Sequence, residues 1–244
     1  NPDFSDAHNT DRFHAEVALM WSLSFHPNVI SLVAYSDNPH VMVTRLYASD
    51  LSSFLHESDD PSIQLDSALL LHLAGGVASG LAAIHSLHVA HRDLKSSKIL
   101  LQAPNDESPF PSAVISDFST SRSGADEIAA LKMLTSLRYA SPQLFSHMDH
   151  HDVEWPIEED MASDVYSLGV VLWELCERRV PWEEKTDMDI GSNVTEGRFL
   201  PVEDSKDSVR FELAAIMRQV FVVEASARPM ISEINARINA IVSE

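Results

Sequence analysis

Within eight residues, His91-Arg92-Asp93-Leu94-Lys95-Ser96-Ser97-Lys98 brings together an imidazole, a carboxylate and three basic side chains. A second aspartate follows 24 positions after Asp93, in Ile115-Ser116-Asp117-Phe118-Ser119. Groups of these types move protons and neutralise charge. Two other clusters also carry chemistry-bearing side chains. Gly75 and Gly80 have the spacing of a glycine-rich phosphate loop, but Leu81 stands where that loop needs lysine. None of the seven glycines is separated from another by a single residue, so G-x-G-x-x-G occurs nowhere. His147, His150 and His151, with Asp149 and Asp152, are metal-binding residue types without an organising spacing. They read as an exposed loop, and the acidic run from Asp149 to Asp160 as a solvated one.

Composition narrows the function classes. The chain has 244 residues, 45% of them apolar, enough for one large domain or two small lobes with a real core. Seventeen basic residues against 37 acidic ones give a net charge of −20. Such a surface repels phosphate backbones and anionic lipid, which argues against nucleic-acid and membrane-surface partners. The single cysteine, Cys176, excludes a disulfide framework and fits a reducing compartment, hence a cytoplasmic location. The sequence begins at Asn1 rather than Met, as a fragment or processed product does.

The elements that must position the chemistry read as follows. Phe13, Val17, Met20 and Leu23 share one face of a helix over residues 10–25, ended by His26-Pro27-Asn28. Val29–Tyr35 and Val41–Leu46 read as a β-hairpin around Ser36-Asp37-Asn38-Pro39, and Asp50 opens a short helix. Residues 67–91 hold no Asp, Glu, Lys or Arg. Paired glycines, three serines and four histidines make a membrane span costly there, so a buried helix is expected. A second core helix is expected at Val165–Cys176, with loops over residues 102–112 and 146–160. The layout is α+β, dominated by helices after the hairpin.

Taken in register with Arg138-Tyr139-Ala140-Ser141-Pro142-Gln143, Asp164-Val165-Tyr166-Ser167-Leu168-Gly169, Pro181-Trp182 and Ala227-Arg228-Pro229, the two aspartate segments resemble a eukaryotic protein kinase domain. The wording is most similar to the tyrosine-kinase-like group of Ser/Thr kinases. The resemblance implies a protein-kinase-like fold with a truncated small lobe, one helix and a β-hairpin over residues 1–47, and a mostly helical large lobe over 48–244. It implies ATP and Mg²⁺ as cofactors and a protein as substrate or partner. Asp93 would orient the acceptor hydroxyl and take its proton, Lys95 would steady the transferred phosphate, and Ser136 would bridge the two. Asp117 would hold Mg²⁺. Glu16 matches the glutamate that pairs with a lysine on the family's third strand, yet residues 1–15 contain no lysine, so that strand and its two predecessors are absent from this chain. Thr44 would be the gatekeeper, Leu46 and Tyr47 the hinge, and Leu100 the floor beneath adenine. Met20, Leu32, His91 and Phe118 fall on the family's regulatory spine, anchored by Asp164. Thr120, Ser121, Ser123 and Thr135 are candidate phosphorylation sites.

Three departures point to impairment. Lys98 stands where the family has a metal-binding asparagine, and an ammonium offers only donors and positive charge. An ion pair between Lys98 and Asp117 would fill the metal's place. Ser119 replaces the glycine after Asp-Phe, and Gln143 replaces the glutamate that pairs with the arginine matched by Arg228. Two functions follow: a Ser/Thr protein kinase with weakened phosphoryl transfer, or a non-catalytic pseudokinase that acts as a scaffold or allosteric protein-binding module.

Overall fold

In the computed structural model the described residues are 4–57, 65–106, 108–123, 137–148 and 156–241, with side chains described from Thr10 on and excepting 122, 123, 147 and 148. The chain opens with α1 (Phe4–Leu23) and a hairpin of β1 (Leu32–Asp37) and β2 (His40–Thr44). Then come β3 (Ser49–Asp50), α2 (Leu51–His56), α3 (Ser67–Ser86) and β4 (Val89–Ala90), followed by β5 (Ile99–Gln102), β6 (Ser112–Ile115) and β7 (Arg122–Ser123). The remainder is helical: α4 (Pro142–Met148), α5 (Ile157–Glu177), α6 (Asp187–Thr195), α7 (Ser208–Val220) and α8 (Ile231–Ile241). Mixed α/β content with few, short strands is the kinase-like architecture that the resemblance implies.

The uncharged stretch forms a core helix. Asp66 caps α3 by accepting from Leu69 N–H at 2.8 Å, and Leu70, Leu73, Val77, Leu81 and Ile84 are fully enclosed. The helix packs against α5, α8 and β6. Its length and apolar composition pass the arithmetic of a membrane span, but its Leu, Ile and Val faces are consumed by protein contacts. Gly76 and Gly80 serve this packing. A Cβ on Gly80 would lie 2.5 Å from the carbonyl oxygen of Asn28, and one on Gly76 would lie 2.9 Å from the Asn28 amide nitrogen. Through that gap Asn28 donates to Ala113 O at 2.9 Å and accepts from Ile115 N–H at 2.9 Å. The glycine spacing thus lets backbone approach a helix and holds no phosphate.

Several boundaries differ from expectation, the first helix running Phe4–Leu23 rather than over residues 10–25 and β2 running His40–Thr44 rather than Val41–Leu46. Val29 and Ile30 leave the hairpin and bond to Ile115, with Ile30 N–H donating to its carbonyl at 2.8 Å, so β1 begins only at Leu32. The second core helix begins at Ile157, eight residues before Val165, because Pro156 precedes it and acidic residues suit a helix N-terminus. Glu158, Glu159 and Asp160 are therefore its first turn, and Asp160 is buried rather than solvated. Residues 149–155 lie outside the described residues, as do the side chains of His147 and Met148, and with them the histidine cluster. Among the described residues no group of three His, Cys, Asp or Glu is placed to hold a metal.

Candidate active site

The register of β5 on β6 creates the site. Ile99 pairs with Ile115, Leu100 with Val114 and Leu101 with Ala113, in a three-stranded antiparallel sheet completed by β3. Lys98 immediately precedes Ile99 and Asp117 closely follows Ile115, so the pairing delivers both to one end of the sheet. Ser116 reinforces it, donating from N–H and from its hydroxyl to Lys98 O, each at 2.9 Å.

Both oxygens of Asp117 are engaged. Lys98 Nζ donates to Oδ2, while the Ser119 hydroxyl donates to Oδ1 at 2.6 Å and Ser119 N–H at 3.2 Å. Burial acts to raise the Asp117 pKa, but the bonds from Lys98 and Ser119 and the Lys98 charge outweigh it and pull the pKa down to about 2. Asp117 has φ +67°, a left-handed conformation that aspartate tolerates better than most side chains. A carboxylate more acidic when folded than unfolded adds stability above the ordinary aspartate pKa and loses it as pH falls toward about 2. The pair is about a third exposed to solvent, which weakens it, so we expect about 1 kcal/mol to be lost between roughly pH 4 and pH 2. The Lys98→Met variant should lose less over that window, and an NMR titration of Asp117 should move upward. An unchanged midpoint would refute the pairing.

Glu16, on α1, faces the same carboxylate. Its pKa is raised by burial first and by the Asp117 charge second, against lowering contributions from Arg12 and the Phe118 main chain. Arg12 also donates to Ser119 O at 3.0 Å, tying α1 to the segment beyond Asp117. Asp93 is bonded to Lys95 Nζ through both oxygens, at 3.0 and 2.9 Å, and its N–H donates to His91 Nδ1 at 3.3 Å. Lys95 is buried, so this cation is neutralised where it sits.

Of the other expected site residues, Leu100 is half-buried on β5 against the core. Thr44 ends β2, and its hydroxyl donates to Arg45 O at 3.3 Å. Tyr47 is half-buried, its hydroxyl pushed to higher pKa by burial. Leu46 is 100% exposed. Ser136 and Thr135 lie outside the described residues. Thr120 turns inward to donate to His91 O at 3.2 Å, and the Ser121 hydroxyl is buried. Met20, Leu32, His91 and Phe118 are all buried, with the His91 and Phe118 rings 5.5 Å apart. Asp164 anchors that region, accepting from His91 N–H at 2.7 Å, Arg92 N–H at 2.8 Å and His85 Nε2 at 3.0 Å.

The substitution at Gln143 leaves a buried arginine. Arg228 donates to Gln143 Oε1 at 2.6 Å and to the carbonyls of Ala162, Val222 and Val223. Burial lowers its pKa to about 10, with Tyr166 and Glu224 acting the other way. Gln143→Glu should convert a neutral acceptor to a charged one and add about 1 kcal/mol. The Val223 carbonyl that loses the amide donor keeps its bond from Arg228. Thermal unfolding should shift up by about 2–4 °C; a downward shift would refute this account.

Sequence reasoning missed three features: the buried carboxylate of Glu174, which gathers His56, Ser96 and Tyr139; the pairing of Arg92 with Asp160; and the Arg12 contact. Each joins segments far apart in the chain, and no local motif announces them.

The profile of the protein tyrosine and serine/threonine kinase family matches residues 2–238. The chain is 32% identical over 177 residues to the probable serine/threonine-protein kinase roco8 of Dictyostelium discoideum, covering 71% of this chain and 9% of that protein. It is 30% identical over 228 residues to the serine/threonine/tyrosine-protein kinase HT1 of Arabidopsis thaliana, covering 92% of this chain and 53% of that protein. With the serine/threonine-protein kinase STY46 of Arabidopsis thaliana it shares 23% identity over 246 residues, 39% of the relative. The chain therefore spans about half or less of each of these relatives.

Proposed function

The chain belongs to the protein tyrosine and serine/threonine kinase family, and from that premise we propose that it is a protein kinase domain of the tyrosine-kinase-like Ser/Thr group whose phosphotransfer from ATP to protein hydroxyls is impaired by its own Lys98. The observation that carries this reading is the contact of Lys98 with Asp117. Mg²⁺ takes oxygen ligands. Here one Asp117 oxygen is held by an ammonium and the other by the Ser119 hydroxyl and N–H. The position that would add a second oxygen donor adds a cation instead. This donor set does not fit a divalent ion.

In this reading residues 1–47 form part of a small lobe with its hinge, and 48–244 the large lobe. Asp93 is the proton acceptor for a substrate hydroxyl, held by Lys95 in a pair that is already formed. Ser136 completes that group; Thr44, Leu46, Tyr47 and Leu100 border the adenine. The unpaired Cys176 is in keeping with a cytoplasmic protein. A non-catalytic scaffold is the second reading. It is favoured by the same blocked aspartate together with the fully buried packing of His91 and Phe118, which needs no metal.

The test is the melting temperature of the chain alone, with ATP, and with ATP plus Mg²⁺, for the natural sequence and for Lys98→Asn. A ligand at about 100 times its Kd stabilises by about 2.7 kcal/mol, or roughly 5–10 °C for this size. The natural chain should show no Mg²⁺-dependent shift, and Lys98→Asn should gain one. A Mg²⁺-dependent shift in the natural chain would overturn the reading. No shift in either chain would leave the scaffold.

A further inference from the structure

The end of α1 and the outer face of the hairpin carry apolar side chains that remain open to solvent. Trp21, in the last turn of α1, is 57% exposed, and Phe25, in the turn that follows, is 92% exposed. Ser24 Oγ accepts from Leu32 N–H at 3.3 Å, which draws the start of β1 up to this turn. Phe25 and Val33 are the next residues along the two segments so joined. The register of β1 on β2 skips Val33, so that Val33 and Ala34 together oppose Val43. Val41 and Val43, two apart on β2, point away from the face that holds Met42, and Met42 is the one packed against the core. Val33, Val41 and Val43 are all exposed. The other face of the hairpin is already covered by α1: Phe13 stacks on His40 at 4.4 Å and lies 6.4 Å from Tyr35.

Charge sets this surface apart. Residues 19–44 hold a single Asp, Glu, Lys or Arg, namely Asp37, in a chain that is 22% charged and carries −20. Asp37 is itself engaged by His14 Nε2 at 2.9 Å. So acidic a chain repels its own copies, and two of them can approach only where charge is missing. We propose that two copies of the chain meet here, about a two-fold axis that sets Trp21, Phe25, Val33, Val41 and Val43 of one copy against the same surface of the other. At these exposures the five side chains offer on the order of 600 Å² of apolar area, the upper end of what a monomer leaves open. Two copies bury about 1,200 Å², which clears the size of a specific contact. A charged partner gains nothing from a window without charge, whereas a second copy is the partner whose repulsion that window avoids. Among the described residues the hairpin is a sheet of two strands, marginal by itself, and cover from a second copy adds to its stability. None of the five residues belongs to the site around Asp93 and Asp117, so the pairing stands apart from whether the chain transfers phosphate.

The experiment is sedimentation velocity of the full chain from about 1 to 100 µM, over which the mass should rise from one chain toward two, with a micromolar Kd. Phe25→Glu should raise that Kd at least about a hundredfold, because a two-fold contact carries the change twice and sets like charges against each other. Trp21→Glu should act likewise. Both should melt within about 2 °C of the natural chain where each is monomeric, since exposed side chains contribute little to the monomer. Met188→Glu changes a residue that is likewise exposed, on α6, and should leave the dimer intact. Salt should tighten the pairing several-fold between about 50 and 500 mM, because it screens the repulsion between two acidic chains. Where a Glu variant fails to fold, the natural chain still decides. Amide exchange over residues 21–25 and 41–44 should be several-fold slower at about 100 µM than at about 1 µM, with α8 unchanged. A monomer at every concentration, a dimer that survives both Glu variants, or one that salt weakens overturns the proposal. So does a dimer that Met188→Glu abolishes as readily as Phe25→Glu. These measurements need no nucleotide, so their failure leaves the reading of Lys98 and Asp117 untouched.

Discussion

Asp164→Ala should cost about 3–6 kcal/mol and lower the melting temperature by about 10–20 °C. Asp164 is 1% exposed and accepts three hydrogen bonds, two from main-chain N–H groups at His91 and Arg92 and one from His85. Alanine leaves all three donors enclosed with nothing to accept them. Each orphaned buried donor costs about 1–3 kcal/mol. His91 is completely buried and its Nε2 is bonded to Ser116 O at 2.9 Å, so the turn has no room to rotate its N–H toward water. Asp164→Asn keeps one acceptor oxygen and should lose about half as much. Equilibrium unfolding followed by circular dichroism checks both. A loss below about 1 kcal/mol for alanine would mean that the His91–Arg92 turn is held by something other than this carboxylate.

The second large effect is expected at Glu174. Its carboxylate is 1% exposed on α5 and accepts from His56 Nε2 at 2.7 Å, Ser96 Oγ at 2.9 Å and Tyr139 OH at 2.7 Å. Ser96 and Tyr139 also stand 3.0 Å apart, each giving its single hydroxyl proton to Glu174. The three donors come from α2, from the turn between Lys95 and Lys98, and from the short 3-10 helix Leu137–Tyr139. The Tyr139 hydroxyl is pushed to high pKa by burial and then by the Glu174 charge, so it stays a donor. Glu174→Ala should cost about 3–5 kcal/mol. It should also speed amide hydrogen exchange at residues 137–140 more than in α3, because the tie joins that short helix to α5. Glu174→Gln keeps the oxygen that accepts from His56 and Ser96 and can donate its amide to the Tyr139 hydroxyl, so it should recover more than half of the loss. Uniform exchange across the domain would instead make Glu174 a generic core contact.

The kinase resemblance was legible because its motifs are local. His91–Leu94, Ile115–Phe118 and Asp164–Gly169 are short strings that stand in the family's order without any tertiary contact being known. The periodicity of residues 67–86 and the polar cap Asp66 likewise announce a helix before any tertiary contact exists. Lys98 could be seen to displace an asparagine, and its attraction to Asp117 follows from charge alone. The limits appear where backbone groups choose between partners. Val29 and Ile30 have the apolar, β-branched character of a strand, yet their hydrogen bonds go to Ile115 rather than to the hairpin, a choice that depends on β6 lying alongside. Glu158-Glu159-Asp160 reads as more of an acidic loop, and only the packing of α5 shows a helix start with a buried Asp160.

What the amino-acid order determined is therefore the first helix, the hairpin and the two core helices, the kinase-like fold and the chemical types gathered near Asp93 and Asp117. Propensity, capping and side-chain charge act over a few residues and are written in the string. What the tertiary structure decided is which charges meet. Asp117 is claimed by Lys98 and Ser119, Arg92 by Asp160, and Glu174 by three hydroxyl or imidazole donors. Those pairings span up to 118 residues of sequence, and burial makes each of them matter, because a charge taken out of water is stabilised only by the partner that the fold sets beside it.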